Sequence, residues 1–257
     1  MSRRERFGWG ALGIALVLVI MQLVVQAGLV SSAAMPTAIN MLTAFGNLVI
    51  SKTFLLAILD TLLSALAAFA LAAVIMIPLG ILLGTSPTWE RWFSGLIEVL
   101  RPIPAISLLP VAILALGIGS EMKILLAGYA ALWPILINTV AGVRDTDSNM
   151  IRAGRSFMWG KGTIMRRIQL PSALPFIGSG ARQSIAVALV IVVTLELLGA
   201  RSGIGAVIRD YGAAGRIEYV FAGILATALL GLLLHSVLAR IEQSLMRWAP
   251  QYRKAAR

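Results

Sequence analysis

Cysteine is absent from this 257-residue chain, and histidine occurs once, at position 235. Without thiols there are no disulfides and no thiolate metal sites, and a lone His235 cannot form a histidine metal pair. On an apolar stretch it reads as a packed or interfacial residue. No Gly-x4-Gly-Lys-Ser/Thr phosphate loop occurs, so nucleotide is not bound in that way. Neither a His-Glu-x-x-His motif nor a Ser/His/Asp set is present, and enzyme activity is not expected. Charge is scarce as well. Charged residues make up 13% of the chain, where a soluble domain would carry about a quarter. Acids are the scarcer sign, 11 Asp and Glu against 22 Lys and Arg.

Apolar residues fill the space that charge leaves. They form 59% of the sequence, and mean hydropathy is +0.90. The chain is expected to be an all-α, polytopic membrane protein with about six transmembrane helices. About 20 apolar residues cross a bilayer core, and the runs fall at Trp9 to Val30, Leu55 to Leu83, Trp92 to Leu116, Met122 to Val143, Pro175 to Leu198 and Ile217 to Ala239. The first follows Arg3, Arg4 and Arg6 and is long for a cleaved signal, so it reads as a retained helix. Residues 31–53 and the glycine-rich 199–216 read as outside loops, and Thr85 to Arg91 as a short inside turn. Gly80 and Gly84 form a small-xxx-small pair suited to close helix contact. The third run is broken by Pro102, Pro104 and Pro110, which predicts an interfacial or kinked piece and then a span.

Basic residues set the orientation. Fifteen Lys or Arg fall in segments assigned to the cytoplasm and five outside: Lys52, Lys123, Arg201, Arg209 and Arg216. Both termini are therefore expected inside. The same distribution, charge beside apolar spans, speaks against nucleic-acid binding.

The longest polar interruption is 144–175, with Arg144, Arg152, Arg155, Lys161, Arg166 and Arg167 against Asp145 and Asp147. Apolar residues recur in it at helical spacing, and Asp147 or Ser148 is a candidate cap. A turn at Trp159-Gly160-Lys161-Gly162 leads to a second short helix, expected to end at Leu170-Pro171, with Pro175 opening the next span. Its charge places the loop in the cytoplasm, and its apolar stripe fits docking onto a partner there.

The order of short helix, glycine turn, short helix and Ile168-Gln169-Leu170-Pro171 resembles the cytoplasmic EAA loop of ABC importer permeases. That family pattern is Glu-Ala-Ala, three residues, Gly, nine residues, Ile-x-Leu-Pro. Here Arg152, Ala153 and Gly154 fall on Glu-Ala-Ala and Met158 on the glycine, so only Ala153 and the Ile-x-Leu-Pro end match strictly. Leu100-Arg101-Pro102-Ile103-Pro104, Leu109-Pro110, Gly117-Ile118-Gly119 with Lys123-Ile124, Leu195-Glu196-Leu197 with Gly203-Ile204-Gly205, and Ala222-Gly223-Ile224 look like the nitrate/sulfonate/taurine group of these permeases.

The resemblance implies a type I ABC importer permease fold in the cell (inner or plasma) membrane. It implies a homodimeric or pseudo-dimeric pore, two cytoplasmic ATPase subunits holding ATP and Mg, an outside substrate-binding protein, and no cofactor in this chain. The cargo would be a small anion, a sulfonate or nitrate; an aromatic acid or pyrimidine precursor is the alternative, and a stand-alone channel or secondary carrier the competing class. Residues 1–51 would form the tail, first helix and outside loop, 52–250 the permease core, and 251–257 a basic tail. The ATPase-coupling set would be Arg152, Ala153, Gly154, Phe157, Met158, Gly160, Ile168, Leu170 and Pro171. Because methionine favours helix and carries a Cβ, the first short helix is expected to run through Met158 and turn at Gly160 or Gly162. Ionisable groups at membrane depth are functional candidates: Glu98, Arg101, Arg182 and Glu196, with Pro102 and Pro104 beside them. Snorkelling or an ion pair is favoured for the arginines, and a pin on the glycine-rich loop for Glu196.

Overall fold

The computed structural model describes residues 3–31 and 34–245, and the basic tail falls outside them. The described residues are helical without strands. In order they are α1 (Arg3–Gln26), α2 (Ala38–Ile50), α3 (Lys52–Thr85), α4 (Pro87–Leu100), α5 (Leu109–Leu116), α6 (Ser120–Arg144), α7 (Ser148–Ser156), α8 (Lys161–Ile164), α9 (Leu170–Leu198), α10 (Ile204–Ala213) and α11 (Ile217–Leu245). Among the described residues four helical runs are long and apolar enough to cross a membrane: Lys52–Thr85, Ser120–Arg144, Lys161–Leu198 and Ile217–Ser244. The α4–α5 pair, bent by 78°, makes a fifth. The remaining expected span is α1, whose apolar stretch is Ala15–Gln26.

The chain divides into two compact units, Met1–Asp60 with Ser202–Leu230, and Thr61–Arg201 with Gly231–Arg257. In the first, Ala44 and Leu48 of α2, Phe54 of α3, Ile204 and Ile208 of α10, and Ala222 and Ala226 of α11 form one apolar core. Both stretches expected to be outside loops are largely helical here. Thr37 caps α2 by accepting the Asn40 amide at 3.3 Å, and α2 buries Ala38, Met41, Ala44 and Leu48, one every turn. Polar Asn40 and Asn47 disguise that pattern in the sequence. Helix α10 starts after Gly203, at φ +111°, a conformation glycine adopts without strain. It presses Ile208 against Gly223 of α11, where an added methyl would lie 2.5 Å from Ile208 Cγ1.

In the second unit small residues let helices close up. A methyl group at Gly80 or Gly84 of α3 would come within 2.7 Å of Thr139 or Val143 of α6, so the expected small-xxx-small pair does seat a neighbouring helix. Helix α6 packs as closely on α9. Gly142 faces Phe176, Gly180 faces Asn138, and Ser184 Oγ donates to the Ala131 carbonyl at 2.7 Å.

Prolines act as read at the α4–α5 break and otherwise than read at α9. Pro104 has no N–H to offer the Leu100 carbonyl. That oxygen instead accepts from the Ile103 amide at 3.1 Å and the Tyr129 hydroxyl at 2.5 Å, as irregular backbone at membrane depth requires. Leu170-Pro171 was expected to end the second short helix, and it does not. Lys161–Leu198 is one 38-residue run. A wide turn at Met165–Gln169, where the Leu170 amide reaches back to the Met165 carbonyl, widens the helix just before the Pro171 ring. Pro175 then sits inside α9 rather than opening it.

Candidate functional site

Loop 144–175 is built from two short helices closed on each other. Asp147 caps α7, accepting the Asn149 amide at 2.8 Å. Gly154 is buried, and a methyl there would lie 3.1 Å from Ile168 Cδ1, 3.4 Å from Ile164 Cγ1 and 3.5 Å from Trp159 Cε3. The small residue at this position thus serves a seam within the loop. Ile164 and Ile168 are buried in that seam, while Leu170 and Pro171 are half-buried at its membrane end.

The end of α7 overturns the expectation for Met158. The helix stops at Ser156, and Met158 stands at φ +57°, the one non-glycine residue at positive φ among those described. Gly160 is extended at φ −67°, ψ 160° and caps α8. The Trp159 amide bonds the Gly154 carbonyl at 3.0 Å, and the Met158 amide bonds that of Arg155 at 2.9 Å. These two bonds define a Schellman motif with Met158 in the position glycine normally takes. A Cβ in the left-handed region costs about 1–2 kcal/mol. Two backbone bonds at about 1 kcal/mol each, with the Trp159 ring lying over Gly154, are enough to offset it. Helix propensity favoured carrying α7 through Met158, and this local closure outweighs it.

The loop therefore sorts its candidate residues. Gly154 and Ile168 face inward. Arg152, Ala153, Phe157, Met158 and Gly160 face out, with Phe157 73% and Met158 95% exposed. Trp159 turns back, with the Arg167 guanidinium 5.4 Å from its ring. Local chain atoms aside, no heavy atom of the described residues lies within 4 Å of where a Cβ would be at Gly160 or Gly162. Beside them opens a cavity of about 680 Å³ lined by Gly160, Gly162, Thr163, Arg166 and Arg167.

The four ionisable candidates, Glu98, Arg101, Arg182 and Glu196, have different surroundings. Glu196 of α9 is fully buried. Its Oε1 lies 3.0 Å from Lys123 Nζ, and the Thr61 hydroxyl is shared between Oε1 at 3.0 Å and Oε2 at 2.9 Å. Lys123, counted above among the outside basic residues, is in the first turn of α6 and only 1% exposed. Its one sequence signal was its place in the Lys123-Ile124 pair after Gly117-Ile118-Gly119. Arg182 Nε pairs with Glu242 Oε2 at 2.8 Å, an α9–α11 contact. Arg182 and Glu196 are fourteen residues apart on one helix, about 21 Å at 1.5 Å per residue, so they share no site. Glu98, Arg101, Pro102 and Pro104 are exposed at the α4–α5 break. Glu98 lines a cavity of about 480 Å³ whose walls include Ile97, Leu136 and Val140 and whose rim carries the Glu90–Arg144 ion pair. His235 is exposed on α11.

The model of one protein family, described as the binding-protein-dependent transport system inner membrane component, matches residues 76–247. The putative aliphatic sulfonates transport permease protein SsuC of Bacillus subtilis (strain 168) is 32% identical over 253 residues, covering 97% of this chain and 91% of that protein. The taurine transport system permease protein TauC of Escherichia coli (strain K12) is 34% identical over 71% of this chain and 66% of its own length. Among solved structures, a chain of the MetNI methionine ABC transporter in an inward-facing conformation superposes with a TM-score of 0.67. It is 21% identical and covers 76% of this chain and 99% of that one.

Proposed function

Because the chain belongs to the family of inner membrane components of binding-protein-dependent transport systems, it is the membrane-spanning permease of an ATP-driven importer, and we propose that its cargo is a small anion of the sulfonate class. The observation that carries the cargo is the likeness to an aliphatic sulfonate permease along nearly the whole chain, with a taurine permease, another sulfonate system, beside it. Nitrate is the nearest other cargo. The chemistry of ATP lies elsewhere: this chain has no phosphate loop, and ATP with Mg belongs to two ATPase subunits on the cytoplasmic side. A second copy of the chain completes the pore, and a binding protein delivers the anion from outside. Both termini and loop 144–175 face the cytoplasm.

The surface that meets the ATPase is the outward face of the loop: Arg152, Ala153, Phe157, Met158 and Gly160. A pore subunit with no nucleotide site needs a mechanical contact with the subunit that has one. Exposed apolar side chains in a basic setting supply an interface core and rim. Gly154, Ile168, Leu170 and Pro171 hold that face in shape and join it to α9. Closure of the ATPases would draw the loops of two copies together and switch the pore between inward-open and outward-open states.

The cargo is tested by purifying the importer with its binding protein and titrating taurine, short alkanesulfonates, nitrate and an aromatic carboxylate by calorimetry. Each ligand is then followed in uptake by proteoliposomes. Saturable uptake of a sulfonate is the expected result. Uptake of the carboxylate alone would overturn it.

A further inference from the structure

We infer that the Lys123–Glu196 ion pair is a registry pin for the α6–α9 hairpin: it lets movement of loop 144–175 reach the opposite end of both helices without slip. This rests on reading the chain as an importer permease driven through that loop. Loop 144–175 joins α6 to α9, and the contacts between the two helices step along them in opposite directions. Gly142 meets Phe176 beside the loop, Asn138 meets Gly180, the Ala131 carbonyl accepts from Ser184, and Lys123 meets Glu196 at the far end. Lys123 is nineteen residues from Gly142 and Glu196 is twenty from Phe176, about 30 Å at 1.5 Å per residue. The pair is therefore a bilayer core's thickness away from the loop.

The seam between those ends is built on small residues. Gly142, Gly180 and Ser184 sit in it, and Ala127 and Ala131 of α6 and Ala188 of α9 are fully buried. Small residues let two backbones approach closely, but they interlock little, and packed helices slide past each other in shear movements. A pull at the loop would then be lost along the seam. The Lys123–Glu196 contact opposes this at the end where slip would be greatest. It is short, at 3.0 Å, and directional, and its side chains are 1% and 0% exposed. The Thr61 hydroxyl donates to the same carboxylate, so α3 is tied to the pinned end. Stability alone is a poor reason for the pair, because apolar groups of similar volume often serve as well inside a protein. Fixing register is the better-attested use of a buried polar contact. Lys123 and Glu196 are thus positioning residues, acting on transport through the helices they join.

The test uses the complete importer in proteoliposomes, with its ATPases and its binding protein holding whichever ligand that protein retains. Cargo uptake and ATP hydrolysis are measured together for the native chain, for Lys123→Met with Glu196→Leu, and for the exchanged pair Lys123→Glu with Glu196→Lys. The apolar double variant should still hydrolyse ATP, with uptake per ATP lowered at least about fivefold, the lower end of couplings between distant sites. The exchanged pair keeps an ionic contact, with signs that suit the two helix ends, and should recover most of the coupling. Native uptake per ATP in the apolar double variant would overturn the pin. So would uptake and hydrolysis falling in equal proportion, which is what a purely structural pair gives. A second measurement leaves the pair intact. Spin labels at Glu121→Cys and Leu198→Cys, both exposed near the pinned end, should report one interhelix distance in the nucleotide-free importer and with ADP–vanadate trapped. A distance that changes with nucleotide would overturn the pin however the variants behave. A native importer that hydrolyses ATP without any uptake would instead remove the transport reading, and the pin with it.

Discussion

Lys123 Nζ lies 3.0 Å from Glu196 Oε1, and the two side chains are 1% and 0% exposed. Lys123 is in the first turn of α6 and Glu196 in the last turn of α9. Each therefore has the charge that its helix end disfavours, so helix capping is not why they are there. The pair joins α6 to α9 and, through Thr61, to α3. Breaking a buried ion pair by removing one partner typically costs about 3–5 kcal/mol, whereas replacing both with apolar groups is often near neutral. Lys123→Met and Glu196→Leu should each sharply lower the melting temperature of the purified permease. The double variant should regain most of the loss. Additive losses in the double-mutant cycle would show that the two charges are stabilised independently.

At the α4–α5 break, Tyr129 is predicted to act through its hydroxyl alone. That hydroxyl supplies the Leu100 carbonyl with a donor that Pro104 cannot provide. Tyr129→Phe should destabilise the permease by about 1–2 kcal/mol, the range for a lost buried partner, read from thermal unfolding in detergent. The ring keeps its edge-on contact with Trp133, 5.7 Å between centroids, so packing stays constant. An unchanged unfolding temperature would mean that the Ile103 amide suffices.

The spans were legible because about 20 apolar residues in a row have few other uses. The Gly80–Gly84 pair was legible because spacing alone puts both on one helix face. Helix α2 was not, since Pro36, Asn40 and Asn47 read as loop while its burial at Ala38, Met41, Ala44 and Leu48 depends on a partner core. The loop was recognisable from its terminal Ile-Gln-Leu-Pro, but the division of labour inside it was not. Ala153 and Gly154 look alike as small residues, and only the positions of Ile164 and Ile168 tell the buried one from the exposed one. Lys123 illustrates the same limit, because its partner is 73 residues away in sequence.

Met158→Gly should stabilise the end of α7 by about 1 kcal/mol, by removing the left-handed penalty on a Cβ. Hydrogen exchange reads this directly. The Trp159 amide, bonded to the Gly154 carbonyl, should exchange several-fold more slowly in the variant. Faster exchange would mean that the methionine side chain supports the turn, against its 95% exposure.

Because the chain lacks cysteine, its orientation can be read with single thiols. Ser148 opens α7 and Ala214 follows α10, and both are exposed. The excess of basic residues around loop 144–175 predicts that it lies inside. In intact cells an impermeant maleimide should label Ala214→Cys and spare Ser148→Cys until the membrane is opened. The reverse pattern would invert the topology and remove loop 144–175 from the ATPase.

The last prediction separates the two small residues of α7. Ala153 is exposed, so Ala153→Trp adds bulk outside the loop's own packing. The permease should keep its unfolding temperature and lose ATPase association and transport. Gly154→Leu puts bulk into the seam, where even a Cβ lies 3.1 Å from Ile168 and 3.4 Å from Ile164. Overpacking of that kind costs about 1–3 kcal/mol. It should loosen the loop in the permease alone, seen as faster amide exchange across α7 and α8 with no ATPase present. The two defects thus differ in kind: Ala153→Trp acts only when the partner is added, and Gly154→Leu acts before. If Ala153→Trp transported normally, α7 would not be the surface that the ATPase grips, whatever Gly154→Leu did.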